Sequence, residues 1–160
     1  MCSVYLRDLF AMECRPEMAT SEELLRSVPL FAGLSHQFLA GIARLAREQS
    51  FQAGETIVRQ GNPGHGLYVI VAGQVDVVRE VDGDEVQLRT MGPGEVFGEL
   101  ALLTHSSRHA TVRATKPTDC LAIASVTFER ILDHSPEVGK ALATTLARWL
   151  EDAERRSGFV

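Results

Sequence analysis

The sequence predicts a mainly β domain with helices at both ends. From about residue 50 onward, short runs rich in Val, Ile and Tyr alternate with Gly, Pro, Asp and Asn. Short strands that recur about every ten residues are typical of a β-sandwich or barrel and not of a parallel α/β sheet. Segments with apolar residues three and four positions apart flank this region and indicate helices. The expected order is therefore two helices, about eight strands and two helices.

Two helices are predicted before the strands. The first begins at Thr20-Ser21, a hydroxyl cap followed by two acids, and ends before Pro29. The second begins at Ser35. Its apolar face consists of Phe38, Leu39, Ile42, Leu45 and Ala46. Residues 1–20 are mixed in character, so we expect a flexible leader followed by one domain over residues 21–160.

The strand predictions rest on six apolar runs separated by turn residues. Asp82-Gly83 lies between two of the runs, and both positions of such a hairpin turn favour positive φ. The runs are Thr56–Arg59, Leu67–Val71, Gln74–Glu80, Val86–Met91, Ala110–Ala114 and Asp119–Ala124.

Two helices are predicted after the strands. One spans Ser125–Leu132, and a longer one begins at Pro136, which suits a first helical turn, and runs to about Arg156. An apolar stripe on the longer helix contains Leu142, Leu146, Trp149, Leu150 and Ala153. The stripe would pack on the strands or pair with a second copy of the chain.

Composition excludes several classes of protein. Lys plus Arg is 16 and Asp plus Glu is 21, so the net charge of -5 argues against a protein that coats nucleic acid. Cys2, Cys14 and Cys120 have no C-x-x-C spacing, which disfavours zinc and dithiol sites. No signal-peptide pattern opens the chain, and the longest apolar run, residues 67–72, is too short for a membrane span. We expect a cytoplasmic protein with reduced thiols.

The segment from residue 97 to residue 112 carries the chemistry. Gly98 precedes a short helix-forming run, and glycine there lets backbone N–H groups approach an anion closely. Arg108 follows a short loop and offers a planar fork for phosphate oxygens. Glu99 would repel phosphate but would accept a hydrogen bond from a sugar hydroxyl. These residues together indicate a nucleotide with one compact phosphate, and no lysine-bearing phosphate loop is present.

Residues 97–115 resemble the phosphate-binding cassette of the cyclic nucleotide-binding domain family, as in CRP/FNR-like regulators and the regulatory subunits of protein kinase A. Members commonly read F-G-E-L-A-L and then P-R-A-A-T-V, and the spacing from Gly98 to Arg108 has no gap. The similarity extends over about Leu24 to Arg156. It includes Val28-Pro29-Leu30-Phe31, Gly54-Glu55-Thr56-Ile57, Gly73-Gln74-Val75 and Pro93-Gly94-Glu95.

The resemblance implies a fold and a set of ligand contacts. The fold would be an eight-stranded antiparallel β-barrel or jelly roll (a double-stranded β-helix) with N-terminal helices and two C-terminal helices. Glu99 would bind the ribose 2′-OH and Arg108 the exocyclic phosphate oxygens. The rest of the cassette would contribute through Phe97, Gly98 and the backbone N–H groups of Leu100, Ala101, His109 and Ala110.

Three residues outside the cassette are also implicated by the family. Val77 and Leu88 would line the base and ribose. Trp149 would cap the base, since the last helix of the family closes over the ligand, or it would instead fill a groove on the barrel or a dimer seam.

Two positions depart from the family pattern. Ser107 stands where proline is common, and His109 stands where relatives carry Ala, Ser or Thr. Threonine there is associated with cGMP preference. We therefore expect cAMP as the ligand, with cGMP as the alternative.

The expected function is that of a sensor that does no chemistry, needs no cofactor or metal, and signals by movement of its C-terminal helices. A second hypothesis is a degenerate scaffold that only dimerises. A third is a cupin-like metalloenzyme, which the absence of H-x-H disfavours. His105 and His109 lie on a loop without a third ligand. No helix-turn-helix follows Arg156, so direct DNA binding is not expected; the partners would be a second copy or a fused effector.

Overall fold

A computed structural model of the protein describes residues 21–157 as eight strands flanked by helices. The helices are α1 (Ser21–Ser27), a 3-10 turn (Pro29–Phe31), α2 (His36–Leu45), α3 (Glu99–Leu103), α4 (Ser125–His134) and α5 (Pro136–Ser157). The strands are β1 (Arg47–Phe51), β2 (Thr56–Val58), β3 (Gly66–Ala72), β4 (Val75–Val81), β5 (Asp84–Met91), β6 (Val96–Phe97), β7 (Thr111–Ala114) and β8 (Thr118–Ala124).

The strands form two antiparallel sheets of four. One sheet, sheet A, has the order β1-β8-β3-β6, and the other, sheet B, has the order β2-β7-β4-β5. This order is that of a jelly roll. The prediction of eight antiparallel strands is confirmed, but a closed barrel is wrong. Within residues 21–157 no strand of sheet A pairs with a strand of sheet B, and the edge strands β2 and β6 have only three and two residues.

The helices begin where their start signals predict. The Ser35 hydroxyl accepts a hydrogen bond from the Phe38 amide at 3.3 Å and caps α2. Pro136 opens α5, which continues to Ser157. At the β4–β5 hairpin, Asp82 and Gly83 have φ of 53° and 86°, as the sequence predicts.

Two strands were not predicted. β1 reads Arg-Glu-Gln-Ser-Phe and is almost entirely exposed, so it has no apolar signal. β6 has only two residues. Its Val96 pairs with Val69 and its Phe97 pairs with Tyr68, and this pairing places the start of the cassette beside β3.

The apolar residues form two cores on opposite faces of sheet A. We call the cluster between sheet A and the helices the helix-side core; it includes Phe31, Leu121, Ile123, Phe128 and Ile131. The cluster between the two sheets is the interior core. It consists of Val58, Ile70, Val75, Val77, Met91, Phe97, Val112 and Cys120.

The predicted leader, residues 1–20, lies outside the described residues. Among residues 21–157, no helix has the length and apolarity that crossing a bilayer requires.

Candidate functional site

The cassette connects β6 of sheet A to β7 of sheet B. Gly98 caps α3 with φ of 92°, a left-handed conformation that disfavours other residues. A Cβ atom at Gly98 would lie 2.6 Å from Nη1 of Arg108. Glycine is therefore required here both for the backbone conformation and for the close approach of the arginine.

Arg108 is buried and is tied to two backbone carbonyls. Its Nη1 donates to the Gly98 oxygen at 2.9 Å, and its Nη2 donates to the Gly66 oxygen at 2.7 Å. Its main chain is also fixed, because its N–H donates to Asn62 and its carbonyl accepts from Gly61. A guanidinium has five N–H donors, so three remain for an anion.

Glu99 is the second buried charge of the site. It begins α3 and is 2% exposed. Burial raises the pKa of Glu99 above its ordinary value, while its own backbone amide and the cations of Arg89 and Arg108 oppose that rise. Ionised Glu99 is therefore poorly solvated and is available to accept a hydrogen bond from a ligand hydroxyl.

A cavity of about 70 Å³ lies between the cassette and sheet B. We call it the cassette cavity. Its lining includes Val58, Val77, Arg89, Phe97, Gly98, Glu99, Leu100, Ala101, Arg108, His109, Ala110 and Val112. Pockets that hold small ligands usually measure roughly 300–1,000 Å³. The cavity must therefore open before it can accept a nucleotide.

Most of the predicted site residues meet at this cavity. Phe97 is buried and stacks on Tyr68 with ring centroids 5.2 Å apart. Val77 and Ala101 are buried, whereas Leu100 is 39% exposed. His109 is exposed, and its Nε2 lies 3.0 Å from the Ser106 hydroxyl.

Leu88, predicted to line the base and ribose, is not among the residues that line the cassette cavity. The register of β4 with β5 shifts between Val77, which pairs with Arg89, and Val78, which pairs with Gln87. Leu88 is the extra residue of this β-bulge, and its side chain is 39% exposed. The bulge leaves Arg89 as the residue of β5 that faces the cavity.

Arg89 is a site residue that the sequence reasoning missed. It lies two positions before Met91, which is buried, and residues two apart in a strand face the same side. This alternation was the available signal. Burial lowers the pKa of the Arg89 guanidinium, and the carboxylates of Glu99 and Glu95 oppose that effect.

Trp149 reaches the site from α5. The guanidinium carbon of Arg89 lies 3.5 Å from the centroid of the Trp149 ring, a cation–π contact. Trp149 and Glu99 also line a neighbouring cavity of about 120 Å³. Near the end of α5, Nη1 of Arg156 donates to the Leu88 carbonyl at 3.0 Å. Two arginine contacts thus link α5 to the bulged part of β5.

Side chains suited to a metal do not gather at the site. Among residues 21–157 there is no group of three or more His, Cys, Asp or Glu placed to hold a metal ion.

Comparison with known proteins agrees with this geometry. The family model for the cyclic nucleotide-binding domain matches residues 48–135, more than half of the chain. The chain is 39% identical over 120 residues to the Drosophila melanogaster protein "cAMP-dependent protein kinase type II regulatory subunit". That match covers 74% of this chain and 32% of the fly protein, so the chain spans about a third of this relative.

Solved structures give the same result. The catabolite activator protein of Thermus thermophilus superposes with a TM-score of 0.72 at 32% identity, covering 82% of this chain and 62% of that one. The regulatory subunit of a cAMP-independent protein kinase A from Trypanosoma brucei, a mutant bound to cAMP, superposes with a TM-score of 0.73 at 31% identity. That match covers 79% of this chain and 46% of the other. The chain therefore belongs to the cyclic nucleotide-binding domain family.

Proposed function

We propose that the chain binds a 3′,5′-cyclic mononucleotide, with cAMP as the first candidate, in an opened form of the cassette cavity. The observation that carries the proposal is the burial of two opposite charges, Glu99 and Arg108, in the wall of one cavity. Neither makes a direct ion pair with the other within residues 21–157, and isolated buried charges are costly. A ligand that carries an anion and a hydroxyl would offset both costs.

Each group has a distinct role in this proposal. The three free N–H donors of Arg108 would bind the phosphate oxygens, while its bonds to Gly98 and Gly66 keep the fork in place. Glu99 would accept from the ribose 2′-OH. The first N–H groups of α3 have no partner within the helix and would complete the phosphate contacts. We assign no catalytic step to the chain.

We propose that α5 transmits the binding event. The cavity is too small for a nucleotide while Trp149 holds Arg89, and Arg89 lines the cavity. Entry of the ligand would displace Arg89, and Trp149 would then cover the base in its place. The helix α5 would thus have two positions, one with Trp149 on Arg89 and one with Trp149 over the base. The ligand would favour the position to which it binds more tightly, and the ratio of the two populations would change by the ratio of the two affinities.

Arg89 also favours a second candidate, cGMP. An arginine fork donates only, and guanine presents two acceptors, O6 and N7, where adenine presents an acceptor and a donor. If Arg89 stays at the base after α5 moves, its donors would suit guanine. This candidate and the first differ in base only and share the contacts of Arg108 and Glu99.

Calorimetric titration of the full chain with cAMP and with cGMP tests the proposal. We expect one nucleotide to bind, and Arg108→Ala to weaken that binding at least about 100-fold, as truncation of a buried charge partner does. Arg108→Lys keeps the charge without the fork and should also weaken binding. Arg44→Ala removes an exposed arginine on α2 and should leave binding unchanged.

The outcomes separate the hypotheses. Failure of both nucleotides to bind the folded wild-type chain would overturn the proposal and favour a scaffold that only dimerises. Equal affinity of the wild type and Arg108→Ala would refute the role of Arg108. If Arg89→Leu weakens cGMP binding and not cAMP binding, guanine is the base that Arg89 contacts.

A further inference from the structure

We propose that the open seam of the sandwich is a second ligand site, which takes an amphipathic organic anion. The seam is a cleft of about 690 Å³ between β1, the edge of sheet A, and β2, the edge of sheet B. We call it the seam cleft. It shares only Val58 and Arg108 with the cassette cavity. This inference goes beyond the proposed function and does not depend on it.

The charge of the seam cleft is one-sided. Arg47 and Arg59 are exposed at its rim, and Arg108 is buried in its wall. None of its described lining residues is Asp or Glu, although acids outnumber Lys plus Arg by 21 to 16 in the chain. An acid-free cleft with three guanidinium groups has a positive potential that attracts anions.

The rim arginines have no counterion among residues 21–157. Within the part of the chain that the structure describes, neither Arg47 nor Arg59 makes an ion pair or a side-chain hydrogen bond. Two other exposed arginines do pair, Arg26 with Glu22 and Arg113 with Glu85. An anion in the cleft would supply the missing partner, and the guanidinium fork suits carboxylate and phosphate heads alike.

Part of the remaining wall of the seam cleft is apolar and indicates the body of the ligand, and the rest is polar, with Gln49, Thr56 and Asn62. Leu45, at the end of α2, is 59% exposed and Ile57 of β2 is partly exposed, whereas Leu67 and Ile123 border the cleft as buried members of the helix-side core. The cleft volume lies within the roughly 300–1,000 Å³ of small-molecule pockets. An inorganic ion would leave these apolar walls in water, whereas an acyl or alkyl chain would cover them. The chemistry therefore fits a carboxylate or a phosphate ester on an apolar chain.

Calorimetry of the full chain without nucleotide tests the site with four probes. Octanoate and octyl phosphate carry the two candidate heads, octan-1-ol carries the same chain without charge, and inorganic phosphate is a head without a chain. We expect at least one anionic amphiphile to bind with Kd below about 1 mM and at least about tenfold more tightly than octan-1-ol and inorganic phosphate. The tighter of the two amphiphiles identifies the head.

Variants locate the bound probe. Arg47→Gln and Arg59→Gln should each weaken binding about tenfold, the loss of one charge-assisted hydrogen bond. Arg44 lies outside the cleft, so Arg44→Gln should have no effect on binding. Thermal unfolding of each variant checks that the fold is retained.

Three results would overturn the proposal. The first is that no amphiphile binds the wild type at about 1 mM. The second is equal affinity for octan-1-ol and for the anions, which would show that the cleft does not select for an anionic head. The third is binding that is unchanged in Arg47→Gln and Arg59→Gln but is displaced by excess cAMP, which would place the probe in the cassette cavity. The proposed function stands or falls separately, on the nucleotide titration.

Discussion

The two cores on either side of sheet A differ in kind. The helix-side core is the larger of the two, and its two largest members, Phe31 and Phe128, have no exposed surface. The interior core is smaller and borders a cavity and two buried charges, Glu99 and Arg108. The helix-side core therefore resembles an ordinary stable core, whereas the interior core borders the candidate site.

Strand β3 shows how one sequence serves both cores. Leu67 and Val69 face the helices, while Tyr68 and Ile70 face the interior. Period-two alternation assigns each residue to one side. We therefore expect stability to depend mainly on the helix-facing side chains, and the proposed nucleotide binding on the interior-facing ones, so that a change on one face should leave the other property largely intact.

Phe128→Ala should have the largest effect on stability. Phe128 is fully buried on α4 in the helix-side core, so its truncation should cost about 3–5 kcal/mol of unfolding free energy. Nucleotide affinity of the folded variant should be unchanged. Urea unfolding and calorimetry measure the two quantities, and Phe128→Leu is the milder variant if the alanine variant does not fold.

Phe97→Ala is the matched change in the interior core. It should also destabilise the fold, but it should in addition weaken nucleotide binding, because Phe97 lines the cassette cavity. If Phe128→Leu weakens binding as much as Phe97→Ala does, the two cores do not have separate roles in stability and binding.

Gly98→Ala should have the next largest effect. Its φ of 92° costs about 1–3 kcal/mol for a residue with a Cβ atom, and that atom would lie 2.6 Å from Nη1 of Arg108. Moving the arginine breaks its bonds to Gly98 and Gly66. We expect lower stability together with at least about tenfold weaker nucleotide binding.

Gly54→Ala is the control for this prediction. Gly54 has φ of 90°, but a Cβ atom there would meet nothing within 4 Å. The variant should pay the same backbone cost and bind nucleotide normally. Equal loss of binding in both glycine variants would show that backbone strain, and not the displaced arginine, explains the result.

Much of this arrangement was predictable from local signals. The caps and prolines mark the helices, and Asp82-Gly83 marks the hairpin, because each of these residues acts on its own backbone. The cassette was predictable because Gly98, Glu99 and Arg108 lie in one contiguous segment. Their convergence on one cavity follows from the short loop that joins them.

The parts that the sequence did not predict depend on pairing between distant segments. The bulge that turns Leu88 outward and Arg89 inward is a property of the β4–β5 register. The gap between the sheets depends on where β1 and β2 end, and β1 has no apolar alternation to reveal it. Neither feature is encoded within a single run of residues.

Glu99→Gln should change stability less than the preceding substitutions do, and it should stabilise the fold where they destabilise it. Burial raises the pKa of Glu99, so the folded state binds more protons than the unfolded state between the ordinary and the raised pKa. Stability from this group is therefore present at low pH and is lost as pH rises through the folded-state pKa. At pH 7 the glutamine variant should be more stable than the wild type, yet bind nucleotide about tenfold or more weakly.

The measurement is urea unfolding of both proteins from pH 4 to pH 7. The advantage of Glu99→Gln should grow as the pH rises. Glu151→Gln, an exposed glutamate on α5, removes the same charge and should show no such trend. A wild type that remains the more stable protein at pH 7 would contradict the assignment of Glu99 as a binding residue that costs stability.

Cys120 gives the finest comparison of the two cores, because the rate of its labelling reports the opening of an interior core whose side chains are unchanged. Burial raises the pKa of the Cys120 thiol to about 12, so at pH 8 its thiolate is about a thousandfold rarer than that of an ordinary cysteine. Labelling in a background with Cys2→Ser and Cys14→Ser should therefore require the interior core to open. We expect a local opening with weak dependence on urea, whereas Val138→Cys in the helix-side core should react only through global unfolding. If the two thiols react with the same urea dependence, the interior core is no less stable than the helix-side core, and its buried charges do not weaken it.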